Sequence, residues 1–360
     1  MISRVTGTLS AKMANMSFVC ACLVVLLHCT PAAASGCFTW WFCHMFCREG
    51  LCIIAVPYFF FVAGFFLAGK FDGSRSVLDT WRQEVRKRVR SLLLPFVIWM
   101  IISAIRSYLL WYTKVRIFHV PAEAGFWTHS FAWQMLLFSG FHPFADIGIF
   151  WFIRCLFALV VISPILVWLT RYKWLVLTML IAGYGAFLYF DGNGADWNFY
   201  FFFDRYVTIR GLLWFFIGIT CRVADWKFSD DWLRGGLLIV IGIVFLICKN
   251  ILDLNGHGAA MNIVEAMAVP FLMIGVFSIV PVRRLSSRLV DNSFPIFLAH
   301  NAFLSLAAML LMVLKLNGNA EWALLIMLFR LIVAVALSVL LAEWLKRRFP
   351  RVANIIYGGR

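Results

Sequence analysis

The sequence predicts an all-α integral membrane protein with about ten transmembrane helices and both termini cytoplasmic. Three observations predict it. Of the 360 residues, 63% are hydrophobic and only 14% are charged, against roughly half and a quarter in ordinary soluble domains. The apolar residues fall in long continuous runs, unlike the alternating pattern of an outer-membrane barrel. The basic residues, which leave a net charge of +15, crowd into every second connection between those runs. This composition excludes a soluble globular enzyme, a disordered chain and a disulfide-stapled secreted module. The basic excess lies in short loops, so it reads as membrane topology and not as a nucleic-acid footprint. No polar stretch is long enough for a separate soluble domain. Residues 1–360 are therefore read as one multi-pass domain with its core at 12–345.

A span needs roughly 20 apolar residues. The first, 14–34, follows Arg4 and Lys12. The second, 50–69, holds the aromatic run 56–67 and is closed by Lys70. The third, 92–112, follows the most basic connection, which includes Arg86, Lys87, Arg88 and Arg90. The fourth and fifth, 145–169 and 174–190, are separated by Arg171 and Lys173. The sixth, 206–221, stops at Arg222, and the seventh, 235–252, starts after Arg234. The eighth, 259–280, precedes Arg283 and Arg284; the ninth and tenth are 292–314 and 322–345, the last closed by Lys346, Arg347 and Arg348. The stretch 131–139 is too short to cross and is read as re-entrant or interfacial.

With the N-terminus inside, 22 of the 32 basic residues fall in inner segments. Only Arg48, Lys114, Arg116, Arg205, Lys249 and Lys315 fall outside. That asymmetry follows the positive-inside rule and puts both termini in the cytoplasm; an inner (plasma) membrane is the expected location. The N-terminus has a second reading, because Ala32-Ala33-Ala34 resembles a signal-peptidase site. Cleavage there would leave nine spans in the same orientation. His28 and Pro31, next to that site, favour a retained helix.

Four arginines lie inside spans: Arg106, Arg154, Arg210 and Arg330. A charge there costs about 3 kcal/mol or more unless it is paired or hydrated. All four map to outer halves, as do His28, Asp146 and Glu265, while His300 lies nearer the middle of the ninth span. Ion pairing and snorkelling account for part of the set. The rest describes an outward-opening polar cavity whose cations suit an anionic or phosphorylated ligand. A carrier would show the same feature.

His28 ends the run Leu26-Leu27-His28 and could accept a proton from a hydroxyl near neutral pH; a helix-to-helix hydrogen bond would explain it equally well. Further along come Val56-Pro57-Tyr58-Phe59-Phe60-Phe61, Arg86-Lys87-Arg88-Val89-Arg90, Leu94-Pro95, Trp151-Phe152-Ile153-Arg154 and Ile296-Phe297-Leu298-Ala299-His300. This ordered set resembles the acyltransferase-3 family of membrane O-acyltransferases across nearly the whole chain. The resemblance implies transfer of an acyl group, often acetyl, from cytoplasmic acyl-CoA to a hydroxyl of a cell-surface or lipid-linked glycan. It implies His28 as the catalytic residue. The arginine ten residues before the motif's histidine falls on Ser17 here, a departure from the pattern. Arg88 and Arg90 are the expected donor-binding residues, because a basic cluster at the inner mouth can hold the phosphates of coenzyme A. Trp151, Arg154, His300, Arg210 and Arg330 are the expected acceptor or oxyanion support.

No bound cofactor and no metal is expected; the spacing of Cys43, His44 and Cys47 is not that of a standard zinc site. Cys37, Cys43, Cys47 and Cys52 cluster at the first outer loop, where an oxidising compartment would allow one or two disulfides. The expected partners are acyl-CoA, the glycan or lipid-linked acceptor and the lipid bilayer, with no nucleic acid. The competing class is a carrier or flippase for a glycan-like substrate, which needs the outer cavity but neither a base nor a donor site.

Overall fold

The computed structural model describes residues 6–29, 38–43, 47, 50–117, 130, 151–193, 208–228, 230–316 and 321–359. Among them every regular element is a helix. α1 (Gly7–Leu27) is started by Thr6, whose side chain accepts from Leu9 N at 3.3 Å. α2 (Ala55–Ala68) is entered through a 3₁₀ turn, Leu51–Ile54. α3 (Val77–Arg88) is capped by Ser76 and runs on through a π-helical stretch, Val89–Leu93, into α4 (Leu94–Tyr112). The basic connection expected as a loop is therefore helical.

α5 (Trp151–Val161) and α6 (Ser163–Leu169) are parted at Ile162, where Pro164 in the first turn of α6 cannot extend the upstream ladder. A 3₁₀ turn, Thr170–Tyr172, leads into α7 (Lys173–Gly192). Then come α8 (Ile209–Val223), α9 (Trp232–Leu254), α10 (Gly258–Ile279), α11 (Ser293–Val313), α12 (Ala323–Arg348) and α13 (Pro350–Tyr357). Asp231 caps α9 by accepting from Leu233 N and Arg234 N at 3.0 and 3.1 Å.

Eight helical runs among the described residues are long and apolar enough to cross a membrane. Two of the ten expected segments are not separate long helices. Segment 206–221 appears as the 15-residue α8. Segment 145–169 appears as α5 and α6, and α6 belongs to the continuous run Ser163–Gly192. The stretch 131–139 and Asp146 lie outside the described residues.

The helices pack as two hairpins and a parallel pair around α1. α9 lies against α10 and α11 against α12, while α1 touches α2, α10, α11 and α12. α2 and α8 run parallel at very close range. A Cβ on Gly64 would lie 2.1 Å from Phe215 O, and one on Gly218 would lie 2.1 Å from Phe61 O. Each glycine removes the side chain that would hold the two backbones apart.

Buried side chains of α1, α2, α5, α8 and α10 make the larger core, including Met13, Met16, Tyr58, Phe60, Phe215 and Phe216. Large apolar residues at the periphery face outward. On α9, Leu237, Val240, Val244, Ile247 and Ile251 form an exposed stripe at helical spacing, as a lipid-facing surface requires.

Hydrogen bonds gather the connections that the alternation assigned to one side. Asn15 Nδ2 donates to Pro281 O and Arg283 O, each at 2.9 Å, and its Oδ1 accepts from Leu285 N. Lys12 pairs with Asp230 and donates to Ser278 O at 3.2 Å. Asn292 joins Glu343 and Lys346 at the same end. At the opposite end Gly192 packs on Gly258 and Ala259. α13 folds back on the start of α4, where Trp99 Nε1 donates to Ile356 O at 3.2 Å. Gly358, at φ +67°, touches the backbone of Ser91, and a Cβ there would lie 2.4 Å from Ser91 O. Burial pushes the Tyr357 phenol up to about 12.

Candidate active site

α1 ends at Leu27, so His28 is its C-terminal cap and not an interior residue of a span reaching 34. Its backbone N–H donates to Val25 O at 3.0 Å, and φ −96°, ψ 0° turns the chain out of the helix. The side chain is exposed, while Cys29 beyond it is buried. The imidazole is therefore reachable, unlike a ring sealed inside a bundle.

His300 faces it from α11. The two rings stack with centroids 5.4 Å apart and planes 28° from parallel. His300 is fully buried, and its Nδ1 lies 2.7 Å from Phe297 O. A carbonyl can only accept, so Nδ1 carries the proton and Nε2 keeps a lone pair. That Nε2 is buried with no hydrogen-bond partner.

Arg330 on α12 reaches the same place, with Nη1 donating to Cys29 O at 3.4 Å. Trp151 opens α5 and joins through rings. The Phe152 ring packs edge-on to Phe60 at 4.8 Å and to Phe297 at 5.6 Å, and Phe297 lies 6.1 Å from His300. The Trp-Phe element thus positions the wall behind the two histidines. Nearby on α11, Ser305 Oγ accepts from Arg106 Nη1 at 2.6 Å.

Arg154 and Arg210 form a second group. Between them Cys155 Sγ lies 3.9 Å from Thr208 Oγ1, beside Arg154 and Arg210 in the sequence. Glu265, on α10, maps to the same outer half. Glu265 in turn pairs with the buried Lys249 at 2.7 Å. The four intra-span arginines are all half-buried, as cations with polar partners at membrane depth are expected to be.

The structure brings His28, His300 and Arg330 together, with Trp151 joined to them through Phe152 and Phe297, and Arg154 and Arg210 lie apart from them on α5 and α8. Arg88 and Arg90 lie on the α3–π–α4 run. Arg88 is half-buried, 3.7 Å from Glu84, whereas Arg90 is exposed, so the two do not form one pair. Ser17, where the family pattern has arginine, turns its hydroxyl onto Met13 O at 2.9 Å. The Tyr58 hydroxyl donates to the same carbonyl at 2.5 Å. In the first loop, Cys52 Sγ lies 3.0 Å from Cys47 O, and no disulfide joins Cys43, Cys47 and Cys52 to one another; Cys37 lies outside the described residues.

Sequence reasoning missed two residues at the basic end. Lys12, counted as loop charge, is buried within α1, and Arg222 is buried at the end of α8. Lys12 sits five residues before Ser17 on the same helix, and Arg222 closes an apolar run; nothing in either spacing separates a buried cation from a topological one.

The family model described as an acyltransferase domain matches residues 16–343. No curated protein and no solved structure matches the chain. The match runs from within α1 to within α12 and takes in the paired histidines, the tryptophan and the intra-span arginines, and on that ground the chain belongs to the acyltransferase-3 family of membrane acyltransferases.

Proposed function

We propose that the protein is an O-acyltransferase that moves an acyl group, acetyl in the simplest case, from cytoplasmic acyl-CoA to a hydroxyl of a cell-surface or lipid-linked glycan. The observation that carries this reading is the exposed His28 stacked on the buried His300. A carrier needs a cavity of polar groups but has no use for an accessible base held by a second imidazole.

In this reading the end bearing Lys12, Arg88 and Arg90 faces the cytoplasm of a plasma-membrane protein. Its cations draw the donor phosphates in. His28 takes the proton of the acceptor hydroxyl as the oxygen attacks the thioester carbonyl. Arg330, with Arg154 and Arg210 from the second group, offsets the charge that develops on the carbonyl oxygen. Collapse expels the coenzyme A thiolate, which recovers the proton from His28. His300 holds the His28 ring through the stack, and Trp151 backs it through Phe152 and Phe297.

Purified protein assayed for acetyl-CoA hydrolysis or transfer tests the reading. His28→Ala lowers the rate by about 10²–10⁴-fold, the range for loss of a general base. A rate equal to the wild type would remove His28 from the chemistry. Arg90→Ala raises the donor KM and leaves the melting temperature nearly unchanged, because an exposed charge contributes little to stability; Arg88→Ala raises the KM too, and lowers the melting temperature because it leaves the buried Glu84 unpaired.

A further inference from the structure

We propose that a cavity at the basic end of the bundle seats a phosphate of the acyl donor's nucleotide, with the purine at its rim and the Asp230 carboxylate holding the phosphate's place on Lys12 until it arrives. The inference rests on the donor reading above and assigns that donor a specific seat away from Arg88 and Arg90.

The cavity, of about 170 Å³, lies between the start of α1, the end of α2 and the connection from α8 to α9. Lys12 and Arg222, both buried, help line it. The Lys12 ammonium is fixed by Ser278 O and lies 5.2 Å from the Phe277 ring. The Arg222 guanidinium lies 5.3 Å from the Phe65 ring. Two cations held against aromatic faces are preorganised for an anion, so little ordering remains when one binds.

Asp230 is the natural occupant. Its side chain is 60% exposed while that of Lys12 is 3% exposed. The carboxylate can leave for water at small cost, whereas the lysine cannot leave at all. An incoming phosphate oxygen takes the same position on the ammonium, in a cavity that Arg222 also lines. At the rim, the exposed Trp226 offers a ring face for a purine, and Lys227 beside it is paired with Asp225 at 2.7 Å. The start of α1 also borders the cavity, and a helix N-terminus favours phosphate.

Lys12 and His28 stand 16 positions apart on one continuous helix, about 24 Å at 1.5 Å per residue. A nucleotide seated at Lys12 therefore needs an extended arm to present its thioester at His28. Pantetheine is such an arm.

The test uses the full-length protein in phosphatidylcholine nanodiscs, with adenosine 3′,5′-bisphosphate as probe and calorimetric titration as readout. Trp226→Ala weakens binding about tenfold, as loss of one stacking face predicts. Asp230→Asn tightens it, because the internal competitor loses its charge. Lys12→Met abolishes binding; it also removes a buried contact, so the two surface variants decide the matter. Arg75→Ala, at the same end but away from the cavity, leaves binding unchanged.

Wild-type affinity in both Trp226→Ala and Asp230→Asn would overturn the proposal. So would displacement of the bisphosphate by phosphatidylglycerol in the nanodisc, which would mark the cavity as a lipid-headgroup site. Acetyl-CoA turnover, measured on the same variants, separates this seat from the donor reading. Turnover with an unchanged donor KM removes the seat and keeps the enzyme. Nucleotide binding that follows the variants without turnover of any acyl-CoA keeps a nucleotide seat and removes the donor.

Discussion

A carbonyl that accepts from His300 Nδ1 decides which nitrogen of that ring is left with a lone pair. In the proposed reaction this detail gives the two histidines different tasks. His28 is reachable, and His300 is locked. His300→Phe keeps a ring against His28 but loses the bond to Phe297 O. It should therefore lower the transfer rate by about tenfold, less than the loss of a general base in His28→Ala; steady-state rates of the two variants at saturating donor check the order. At this scale the sequence was informative about identity and poor on environment. His28, His300, Trp151 and Arg330 were all legible as polar or aromatic residues set in apolar runs. That His28 caps α1 was not, because the apolar run continues beyond the point where the helix stops. That Lys12 is buried was not either, because a lysine at the start of a span looks the same whether it meets water or Asp230.

Between helices, the closest contact is made by residues that carry no chemistry. Gly64 and Gly218 let α2 and α8 touch backbone to backbone. Gly218→Ala places a methyl within 2.1 Å of Phe61 O, and overpacking of this kind costs roughly 1–3 kcal/mol. A lower melting temperature in detergent checks it; a temperature equal to the wild type would mean that the two helices can separate freely. α1 is an integral part of the core, with Met13, Met16, Cys20 and Val24 buried. An epitope tag before Thr6 should accordingly stay on the mature protein, and a blot of purified membranes reads the result. The helical segments were readable from apolar length, and most of their ends were not. The α3–π–α4 run shows why: its basic residues signal membrane topology, yet they sit on a helix that continues into the apolar run without a break.

As a whole molecule, the bundle places the connections in two groups at opposite ends. The turn at 72–76 and the α8–α9 connection are expected on one side, and the α9–α10 turn at 255–257 on the other. Reporter fusions at residues 75 and 227 should score alike, and a fusion at 256 should score opposite. Two fusions out of pattern would break the alternation. The sequence could support this arrangement because the charge bias is repeated at each crossing, so one misread segment does not erase it.

α8 is only 15 residues long, which at 1.5 Å per residue rises about 22 Å. The hydrocarbon layer of a bilayer is roughly 30 Å thick. Arg210 opens this helix and Arg222 nearly closes it, so its two polar ends approach each other more closely than the lipid around the protein would allow. Arg210 and Arg222 stand 12 positions apart on this mostly buried helix, about 18 Å at 1.5 Å per residue. Cargo handed from one aqueous face to the other along it would have that shorter distance to cross.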